Sequence, residues 1–472
     1  MVVGGIDRQY LQPYSVANQN YNNNSLREII ERPVKLATAT GTPETTAFSS
    51  YWDVPTTGDA AIQQQAVEAA RIYNQASLKI MLVYNTDGTI DTTNTVIRGQ
   101  TPDGMADGPP ITGADYTNIM ASLNTSTGGK RFPVIDIREG GTSQPVQTTS
   151  VDVGALRTAI LGMSSTFNGI LYIADVTGED PSTLSYNNGM TTTNTNGTDF
   201  ETVGGVSTGA RVMHAIMLTN GSNVPGSQIV DTTDPLRAFT VATENGIYIK
   251  GDYNTGGIAG NVPSNSGSPT ADTFAAGYTP VTSAVMADSV AILSSRFNPT
   301  AGGDGYFTQT HSTINPAMTM AMDPVTGLEV DPTTSGAVSA TTRAAVSTTV
   351  NTAVVSGIYE NTATQVGGGA SNLLRYMENW GQVPTQYSNT ATGPTTASDY
   401  SGGITSTSVT YKGSLMQSFF SKELTAPWRG ASGGTYNAPT RIVRFDDSFI
   451  NKPPAGFPAT ITYVKGAWER LL

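Results

Sequence analysis

The second half of the chain consists of short apolar runs separated by glycine, asparagine, threonine and serine, and this texture restricts the fold more than any other sequence feature. The runs are mostly brief and rich in β-branched and aromatic residues, which is typical of strands. They span residues 169–174, 215–218, 238–241, 246–250, 289–293, 354–359 and 409–419. Each run is predicted to form β-strand.

The spacing of these runs distinguishes two β architectures. Asn-Gly pairs begin at Asn168, Asn188, Asn196, Asn220 and Asn245, and both residue types readily adopt left-handed backbone conformations at turns. A sandwich would keep strands at intervals of about 8 to 12 residues, which this sequence does not do. The pattern therefore favours an irregular right-handed parallel β-helix with loops of unequal length, and a β-sandwich is the alternative.

The first 165 residues have a different character. Residues 1–58, with an Asn-rich stretch and a short helical candidate at 25–31, are predicted to form an N-terminal arm or linker. Residues 59–165 are predicted to form a small α+β unit. Its elements are a helix at 60–76, a hairpin at 78–92 around Asp87-Gly88, a strand at 132–137, and a helix at 153–163 capped by residues 150–152.

Residues 166–472 are predicted to form the solenoid-like domain. Residues 255–279 and 301–339 are expected to leave the strands as long surface insertions. The segment 371–380 (SNLLRYMENW) can place its apolar residues on one helical face, so we expect a helix there. The Pro-rich tail, with Pro453, Pro454 and Pro458, is expected to lie extended along the surface.

Composition excludes several kinds of protein. The sequence contains no cysteine, which removes disulfides, thiolate metal sites and cysteine nucleophiles. Only 13% of residues are charged, against about 25% in an average globular chain. The net charge of −12, without a Lys/Arg cluster, argues against nucleic-acid binding. Weakly charged surfaces rich in Thr, Asn and Gly are typical of structural proteins whose copies pack together.

Membrane insertion and a signal peptide are not indicated by the sequence. No apolar stretch reaches membrane-spanning length, so no membrane span is predicted. The first five residues, MVVGG, lack the basic and continuous apolar regions of a signal peptide, and we expect a mature or truncated product.

Several blocks of sequence resemble a family of large bacterial envelope proteins related to the PilX-type accessory proteins of type IV pilus assembly. The blocks are residues 25–34, 70–80, 135–140 with 151–156, 239–255, 286–297, 372–381, 411–420 and 436–449. The resemblance implies an exported, surface-exposed role with pilus or envelope components as partners. It brings no catalytic residues. The hydrophobic N-terminal helix with which members often begin is missing before Ser25, which puts direct incorporation into a pilus in doubt.

Two histidines and a few carboxylates are the only candidates for acid–base chemistry. His214 lies in a predicted buried strand and is interpreted as a core residue, whereas His311 is interpreted as a loop residue. A polysaccharide-cleaving β-helix would need paired carboxylates. The candidates are Asp446 with Asp447, Asp136 with Glu139, and Asp252. Adjacent strand residues point to opposite faces, and Asp136, Arg138 and Glu139 better suit an ion pair, so no catalytic residue is predicted.

Oxygen-rich loops raise the possibility of calcium binding. One loop contains Asn85, Asp87 and Asp91, and the other contains Asp323, Glu329 and Asp331. Neither has the spacing of a complete EF-hand, and plain turns are the preferred interpretation of both. The Gly-rich segment 365–370 lacks the lysine of a phosphate-binding loop and is interpreted as a helix entry. No cofactor is therefore assigned, with calcium as the one candidate ion.

These features together predict an extracellular or cell-surface structural protein, a subunit of a filament, pilus-like or surface-layer assembly, whose partners are copies of itself. Tyrosine outnumbers the other aromatics, with 20 Tyr against 13 Phe and 4 Trp, and tyrosine-rich surfaces bind glycans as well as protein. A pilus-associated adhesin or glycan-binding module is accordingly the alternative. A polysaccharide-degrading enzyme is a third hypothesis. Asn-X-Ser/Thr sequons occur at Asn23, Asn124, Asn196 and Asn220.

Overall fold

The computed structural model describes the strand-forming parts of the chain and several segments that pack against them. The described residues are 2–3, 6–7, 26–32, 70–100, 107–134, 146–163, 167–177, 202–203, 206–207, 213–226, 238–257, 278, 281–295, 297, 345–358, 374–376, 380, 408–421 and 439–457.

Twenty-one strands and a few short helices make up this part of the chain. The strands are β1 (Val2–Val3), β2 (Ile6–Asp7), β3 (Leu78–Leu82), β4 (Val96–Gln100), β5 (Asp107–Pro110), β6 (Phe132–Val134), β7 (Val146–Asp152), β8 (Ile170–Asp175), β9 (Thr202–Val203), β10 (Val206–Ser207), β11 (His214–Thr219), β12 (Ala238–Ala242), β13 (Gly246–Lys250), β14 (Thr282–Ala287), β15 (Val290–Leu293), β16 (Thr348–Asn351), β17 (Ala353–Ile358), β18 (Leu374–Tyr376), β19 (Ser408–Lys412), β20 (Leu415–Phe420) and β21 (Thr440–Arg444). The α-helices are α1 (Ile72–Gln75), α2 (Gly113–Met120), α3 (Val153–Gly162) and α4 (Ser448–Asn451), with 3₁₀ helices at Leu26–Ile29 and Thr125–Thr127.

Three sheets contain most of these strands, and β1 with β2 and β9 with β10 form two separate antiparallel pairs. An eight-stranded sheet has the order β20-β17-β14-β12-β8-β3-β4-β5, a six-stranded sheet has the order β18-β15-β13-β11-β7-β6, and a three-stranded sheet has the order β16-β19-β21. Within them, pairing is antiparallel only where β4, β5 and β6 join at one end, and it is parallel elsewhere. The chain is therefore mainly β, as predicted, and its described strands do not form the antiparallel sandwich that was the alternative.

From β11 onward, consecutive strands lie in different sheets, whereas β3 to β5 share one sheet and β6 and β7 share another. From β12 to β15 the chain alternates between the eight-stranded and the six-stranded sheet, and from β15 to β20 it visits the six-, three- and eight-stranded sheets in turn. Several connections are short: residues 243–245 join β12 to β13, residues 288–289 join β14 to β15, and Thr352 alone joins β16 to β17, whereas residues 251–281 and 294–347 are long connections. Each strand then pairs with the strand one circuit later in the same sheet.

Both faces of the two large sheets are buried, which explains why their strands are continuous apolar runs instead of alternating ones. In β8, Leu171 and Ile173 point into a core shared with the six-stranded sheet, where they join Ile216 of β11 and Ile247 of β13. The alternate residues of the eight-stranded sheet form a second, outer core. Its members in the strands are Met81, Ile170, Tyr172, Ala174, Ala242, Ala284, Met286, Ala353, Val355 and Phe419.

A ladder of polar residues lines the corner between the two large sheets. The backbone N–H of Asp175 donates to Asn245 Oδ1 at 2.8 Å. The N–H of Asp288 donates to the carbonyl of Asn245 at 3.0 Å, and the N–H of Gly357 donates to the carbonyl of Asp288 at 3.1 Å. The backbone groups in the buried bends at this corner are thus hydrogen-bonded to the equivalent bends of neighbouring circuits.

The structure tests several N-terminal predictions. The strand and turn of the 78–92 hairpin are confirmed by β3 and by the bond from Asn85 N to Thr89 O at 2.8 Å, and the return continues into β4. The capped helix at 153–163 is confirmed as α3, whose N-cap Asp152 accepts from Ala155 N at 2.8 Å. Of the helix predicted at 60–76, only residues 70–76 are described, and they contain α1. Strands on both sides of the predicted boundary at residue 165 pair in the same sheets, as β3 does with β8.

The helix predicted at 371–380 is wrong where the chain is described. Residues 374–376 form β18, which pairs in parallel with Val290–Ile292 of β15 and buries Leu374 and Tyr376 in the shared core. Trp380 is also buried and meets the ring of Tyr376 edge-on, with centroids 6.0 Å apart. As a strand, this segment forms backbone hydrogen bonds with β15 and buries its apolar side chains in the shared core. These tertiary contacts outweigh the local helical pattern. Of the insertions predicted at 255–279 and 301–339, only residues 255–257 and 278 are described, and the rest lie outside the described residues.

Candidate functional site

A buried polar cluster lies where β8 ends, beside the start of the six-stranded sheet. Asp175 Oδ1 accepts hydrogen bonds from the backbone N–H of Thr177 at 3.0 Å and from its hydroxyl at 2.6 Å. Asp175 Oδ2 lies 3.3 Å from Nη1 of Arg131. The guanidinium of Arg131 in turn lies over the ring of Tyr84, 4.8 Å from its centroid. The cluster therefore joins an acid, a base and a phenol within one buried region.

Asn124 fixes the position of the tyrosine. Its Nδ2 donates to the Tyr84 hydroxyl at 2.9 Å, and its Oδ1 accepts from Ser150 N at 2.8 Å. The same hydroxyl lies 2.7 Å from Thr149 Oγ1. Asn124 is fully buried and has a left-handed backbone with φ of 51°. Its sequon is consequently not accessible to a glycosylating enzyme in the folded chain.

The electrostatics of this cluster support a structural role. Burial alone would raise the pKa of Asp175, but the nearby charges of His214 and Arg131 and the bonds from Thr177 hold that pKa below its ordinary value. Burial, with the charge of Asp175, raises the pKa of Tyr84 far above that of a free phenol. At neutral pH the acid is therefore ionised and the phenol protonated, with both side chains sealed from solvent. His214, the first residue of β11, is buried as the sequence predicted.

The other candidate carboxylates lie in separate turns. Asp446 Oδ1 accepts from the backbone N–H of Ser448 at 3.0 Å and from its hydroxyl at 2.7 Å, and Asp447 is the N-cap residue of α4. Asp252 Oδ1 accepts from Thr349 N at 2.8 Å. Asp446 thus satisfies the backbone of its own turn, Asp252 satisfies the backbone of β16, and the two do not form a pair. Asp136, Glu139 and His311 lie outside the described residues.

The loop with calcium-like composition forms ordinary turns. Asp87 Oδ1 accepts from the hydroxyl of Thr89 at 2.6 Å and from its N–H at 3.0 Å, and Asp91 accepts from Asn94 Nδ2 at 2.6 Å. These bonds lower the pKa of both carboxyls. Within the described segments, no three His, Asp or Glu side chains converge on a point that could hold a metal ion. Asp323, Glu329, Asp331 and the segment 365–370 lie outside the described residues.

A short N-terminal segment, residues 26–32, packs on the outer core of the eight-stranded sheet, and we call it the N-terminal strap. Ile29 and Ile30 of the strap are buried in that core. The hydroxyl of Tyr172, on β8, donates to the carbonyl of Ile30 at 2.9 Å, and Nη1 of Arg71 donates to the carbonyl of Glu31 at 3.2 Å. The strap therefore binds through its backbone as well as through its side chains.

Ion pairs hold the strap at two corners of the sheet. Arg27 Nε lies 2.9 Å from Asp288 Oδ1, Arg27 Nη2 donates to the carbonyl of Glu244 at 2.7 Å, and Arg27 also pairs with Glu31. Arg32 Nε lies 2.9 Å from Glu244 Oε1. Buried charges require such partners, because an unpaired one would be strongly destabilising. We call the receiving residues Tyr172, Glu244 and Asp288, with the outer core beneath them, the strap cradle.

The sequence contains a weak signal for this contact. Arg27 and Glu31 are spaced to pair on one helical turn, and they flank two isoleucines, which is a common pattern for a short docking helix. The receiving residues could not be identified in the same way, because Glu244 and Asp288 lie in different turns.

The last described strands form an exposed surface, which we call the C-terminal edge. β18, β20 and β21 are the outermost described strands of their sheets at this end. Four of the five exposed large apolar side chains in the described residues belong to this end of the chain: Leu415, Val443, Phe445 and Ile450, which are 40%, 58%, 53% and 73% exposed. The guanidinium of Arg441 on β21 lies 5.2 Å from the ring centroid of Tyr376. An open strand with apolar flanks is a surface on which another chain can add a strand.

The opposite end of the sheets is protected. In the two large sheets its outermost described strands are β5, which contains Pro109 and Pro110, and β6, which contains Pro133. The three-stranded sheet ends there with β16, which contains no proline and is bridged at Val350 by Tyr253. Proline donates no backbone hydrogen bond and is a common means of blocking a sheet edge. By contrast, β18, β20 and β21 contain no proline.

Comparisons with known proteins do not connect this chain to a family. No family model matches it, no curated protein matches it, and no solved structure matches it. The resemblance to envelope proteins of the PilX type stays a prediction. Among the described residues, no helix has both the length and the apolar character needed to cross a membrane.

Proposed function

We propose that this chain is a structural protein of an extracellular or cell-surface assembly, built as a right-handed parallel β-helix whose copies associate through the C-terminal edge. The proposal is carried by one observation, the contrast between an edge with exposed apolar residues at one end of the sheets and proline-containing edges at the other.

The β-helix part of the proposal is supported by the path of the chain. From β11 onward, consecutive strands occupy different sheets, equivalent strands pair in parallel with the next circuit, and several bends between sheets are only one to three residues long. A layered fold with helical crossovers would need about a dozen residues in each connection. Right-handedness is proposed because parallel crossovers are right-handed in nearly all proteins.

The association of copies is supported by the chemistry of the C-terminal edge. Isolated apolar residues are common on protein surfaces, but a cluster at an open strand edge favours binding. The prolines of β5 and β6 disfavour strand addition at the other end, so two copies would meet through their C-terminal edges. The weakly charged surface, with 13% charged residues, limits repulsion between copies.

The test is a comparison of assembly between the wild-type chain and the double variant Val443→Asp/Phe445→Asp. Light scattering after size-exclusion chromatography, together with negative-stain electron microscopy, would measure the size and shape of the particles. We expect the wild-type chain to form dimers or larger ordered particles as concentration rises. Two buried or partly buried carboxylates in the contact should prevent this association.

The matched control is Leu161→Asp, because Leu161 is a similarly exposed apolar residue, at 49%, on α3 and away from the C-terminal edge. This variant should assemble as the wild type does. A wild-type chain that stays monomeric at every concentration would overturn the proposal and favour a glycan-binding or adhesive module. Assembly lost equally in both variants would show that the contact lies elsewhere.

A further inference from the structure

The N-terminal strap and its cradle match in shape and charge. The strap presents the two guanidinium groups of Arg27 and Arg32, and the cradle presents the carboxylates of Asp288 and Glu244, each 2.9 Å from its partner nitrogen. Between these pairs, Ile29 and Ile30 enter the outer core. The contact combines a hydrophobic centre with charged ends, which is the composition of a specific binding interface.

The connection that follows the strap is far longer than the contact requires. The carbonyl of Glu31 accepts a hydrogen bond from Nη1 of Arg71 at 3.2 Å, so by residue 71 the chain has returned to the end of the strap. Residues 33–69 separate the strap from the next described segment. At roughly 3.3 Å per residue, residues 33–59, which precede the helix predicted at 60–76, could span about 90 Å, so their length does not restrict the strap to the cradle of its own chain.

These two observations bear on assembly. A segment that binds a compact cradle through a long connection makes the same contacts whether the cradle belongs to its own chain or to a neighbour. When copies already lie side by side, the neighbouring cradle is present at a high effective concentration. Exchange of the strap then links the copies without any new interface.

We propose that in the assembled state the N-terminal strap of one copy occupies the cradle of a second copy, so that each subunit is tied to its neighbour by the Arg27–Asp288 and Arg32–Glu244 ion pairs. This inference rests on the proposed self-association and identifies a contact that would hold the assembly together. The occupant is the strap of a second copy of this chain, because the strap is the segment that complements the two carboxylates of the cradle and every copy carries both parts.

The test uses charge reversal at the less deeply buried pair, Arg32 and Glu244. The variant Arg32→Glu mismatches its own cradle, and Glu244→Arg mismatches its own strap. If straps exchange, the two single variants complement each other, because the altered strap of one meets the altered cradle of the other and the two wild-type partners meet as well. If each strap binds only its own chain, co-expression of the two single variants does not restore the ion pair between residues 32 and 244.

The measurement is affinity capture after co-expression of one tagged and one untagged chain. The single variants form one matched pair, and the double variant Arg32→Glu/Glu244→Arg with itself forms another. The double variant with the wild-type chain is mismatched. Because like charges in an interface cost several kcal/mol, matched pairs should be captured at least about tenfold more efficiently than the mismatched pair. The double variant also restores the pair within one chain, and its unfolding temperature, close to that of the wild type, would establish that the reversed pair is tolerated.

The outcomes separate the two proposals. Capture that follows charge matching supports strap exchange. Capture of equal efficiency in matched and mismatched pairs would overturn strap exchange while leaving self-association in place. Absence of capture in every combination, including wild type with wild type, would overturn both.

Discussion

Asn254 and Asn351 exchange hydrogen bonds from one circuit of the chain to the next. Nδ2 of Asn254 donates to the carbonyl of Asn351 at 3.0 Å, and Nδ2 of Asn351 donates to the carbonyl of Asn254 at 2.9 Å. Both side chains are buried, and Asn254 has a left-handed backbone with φ of 55°. The pair satisfies one backbone carbonyl in the bend after β13 and one at the end of β16.

Replacement of this amide should therefore destabilise the fold. Asn254→Ala removes the bonds that Nδ2 donates to the carbonyls of Val281, at 2.7 Å, and Asn351, at 3.0 Å, and the bond that Oδ1 accepts from the Tyr278 hydroxyl at 2.8 Å. It also places an alanine in a left-handed conformation, and together these changes should cost about 2–4 kcal/mol in the free energy of unfolding. Asn254→Gly is the control, because glycine tolerates that backbone and isolates the loss of the side-chain bonds. Urea unfolding measures both variants. Equal stability of Asn254→Gly and the wild type would show that the amide bonds contribute little.

The Asp175 cluster makes stability depend on pH in a defined direction. The pKa of Asp175 lies below its ordinary value in the folded chain, so the unfolded chain binds more protons in that interval. The contribution of Asp175 is complete above the unfolded pKa of about 3.9 and is lost as pH falls through the lower folded pKa.

The substitution Asp175→Asn tests this linkage. At pH 7 it leaves Arg131 and His214 without the buried carboxylate and should cost about 3–5 kcal/mol. The difference from the wild type should shrink as pH falls below about 4 in a series of denaturant titrations. The exposed Asp87, whose pKa is also lowered, provides the control Asp87→Asn, which should change stability far less. If the stability difference between Asp175→Asn and the wild type stayed constant with pH, the lowered pKa of Asp175 in the folded chain would be contradicted.

Gly169 occupies a position that no larger residue fits. Its φ is +90°, and a Cβ there would lie 2.6 Å from the carbonyl oxygen of Ala238. Gly169→Ala should therefore destabilise the chain by more than about 2 kcal/mol. At Gly162, the last residue of α3, an added Cβ meets nothing within 4 Å, and Gly162→Ala should be neutral or stabilising by up to about 1 kcal/mol. Thermal unfolding of the two variants in parallel measures the difference. If Gly169→Ala proved as stable as Gly162→Ala, the close approach to the Ala238 carbonyl would not matter for stability.

The side chain of Asp152, the N-cap of α3, is expected to make a smaller contribution to stability than Asp175. Asp152 Oδ1 accepts from Ala155 N at 2.8 Å and from Asn220 Nδ2 at 3.0 Å. Asp152→Ala should lower the free energy of unfolding by about 1–2 kcal/mol, because it removes the cap. Asp152→Asn keeps an acceptor oxygen and should lose less than half as much in the same denaturation assay. Equal losses would mean that charge, and not capping, stabilises this helix.

Sequence reasoning located about half of the described strands, because their buried faces require continuous apolar runs, as in β8 and β13. Among the strands it overlooked are β14 (TSAVMA) and β16 (TTVN), in which threonine, serine and asparagine occupy buried positions. Those polar residues are accommodated by the bonds between circuits, such as Thr352 Oγ1 to Ser283 Oγ at 3.2 Å. Such partners lie many residues away, so a local pattern does not identify them.

The candidate surfaces were harder to predict than the strands. The exposed position of Val443 and Phe445 depends on β21 being the last described strand of its sheet, a property of topology and not of composition. The cradle likewise forms only when the turns at Glu244 and Asp288 are stacked by parallel pairing. By contrast, the burial of His214 and the turn at Asp87 followed from short-range patterns and could be predicted.

The residues after β21 return along the outer core to the first circuits. The Thr240 hydroxyl donates to the carbonyl of Ala455 at 2.6 Å, and a Cβ at Gly456 would lie within 3.1 Å of both Ile72 and Ile170. During synthesis, the outer face of the first strands is therefore covered only after residues 455 and 456 have left the ribosome. A nascent chain halted before residue 455 would keep the apolar surface around Ile72 and Ile170 uncovered, and in that state it would be prone to aggregate.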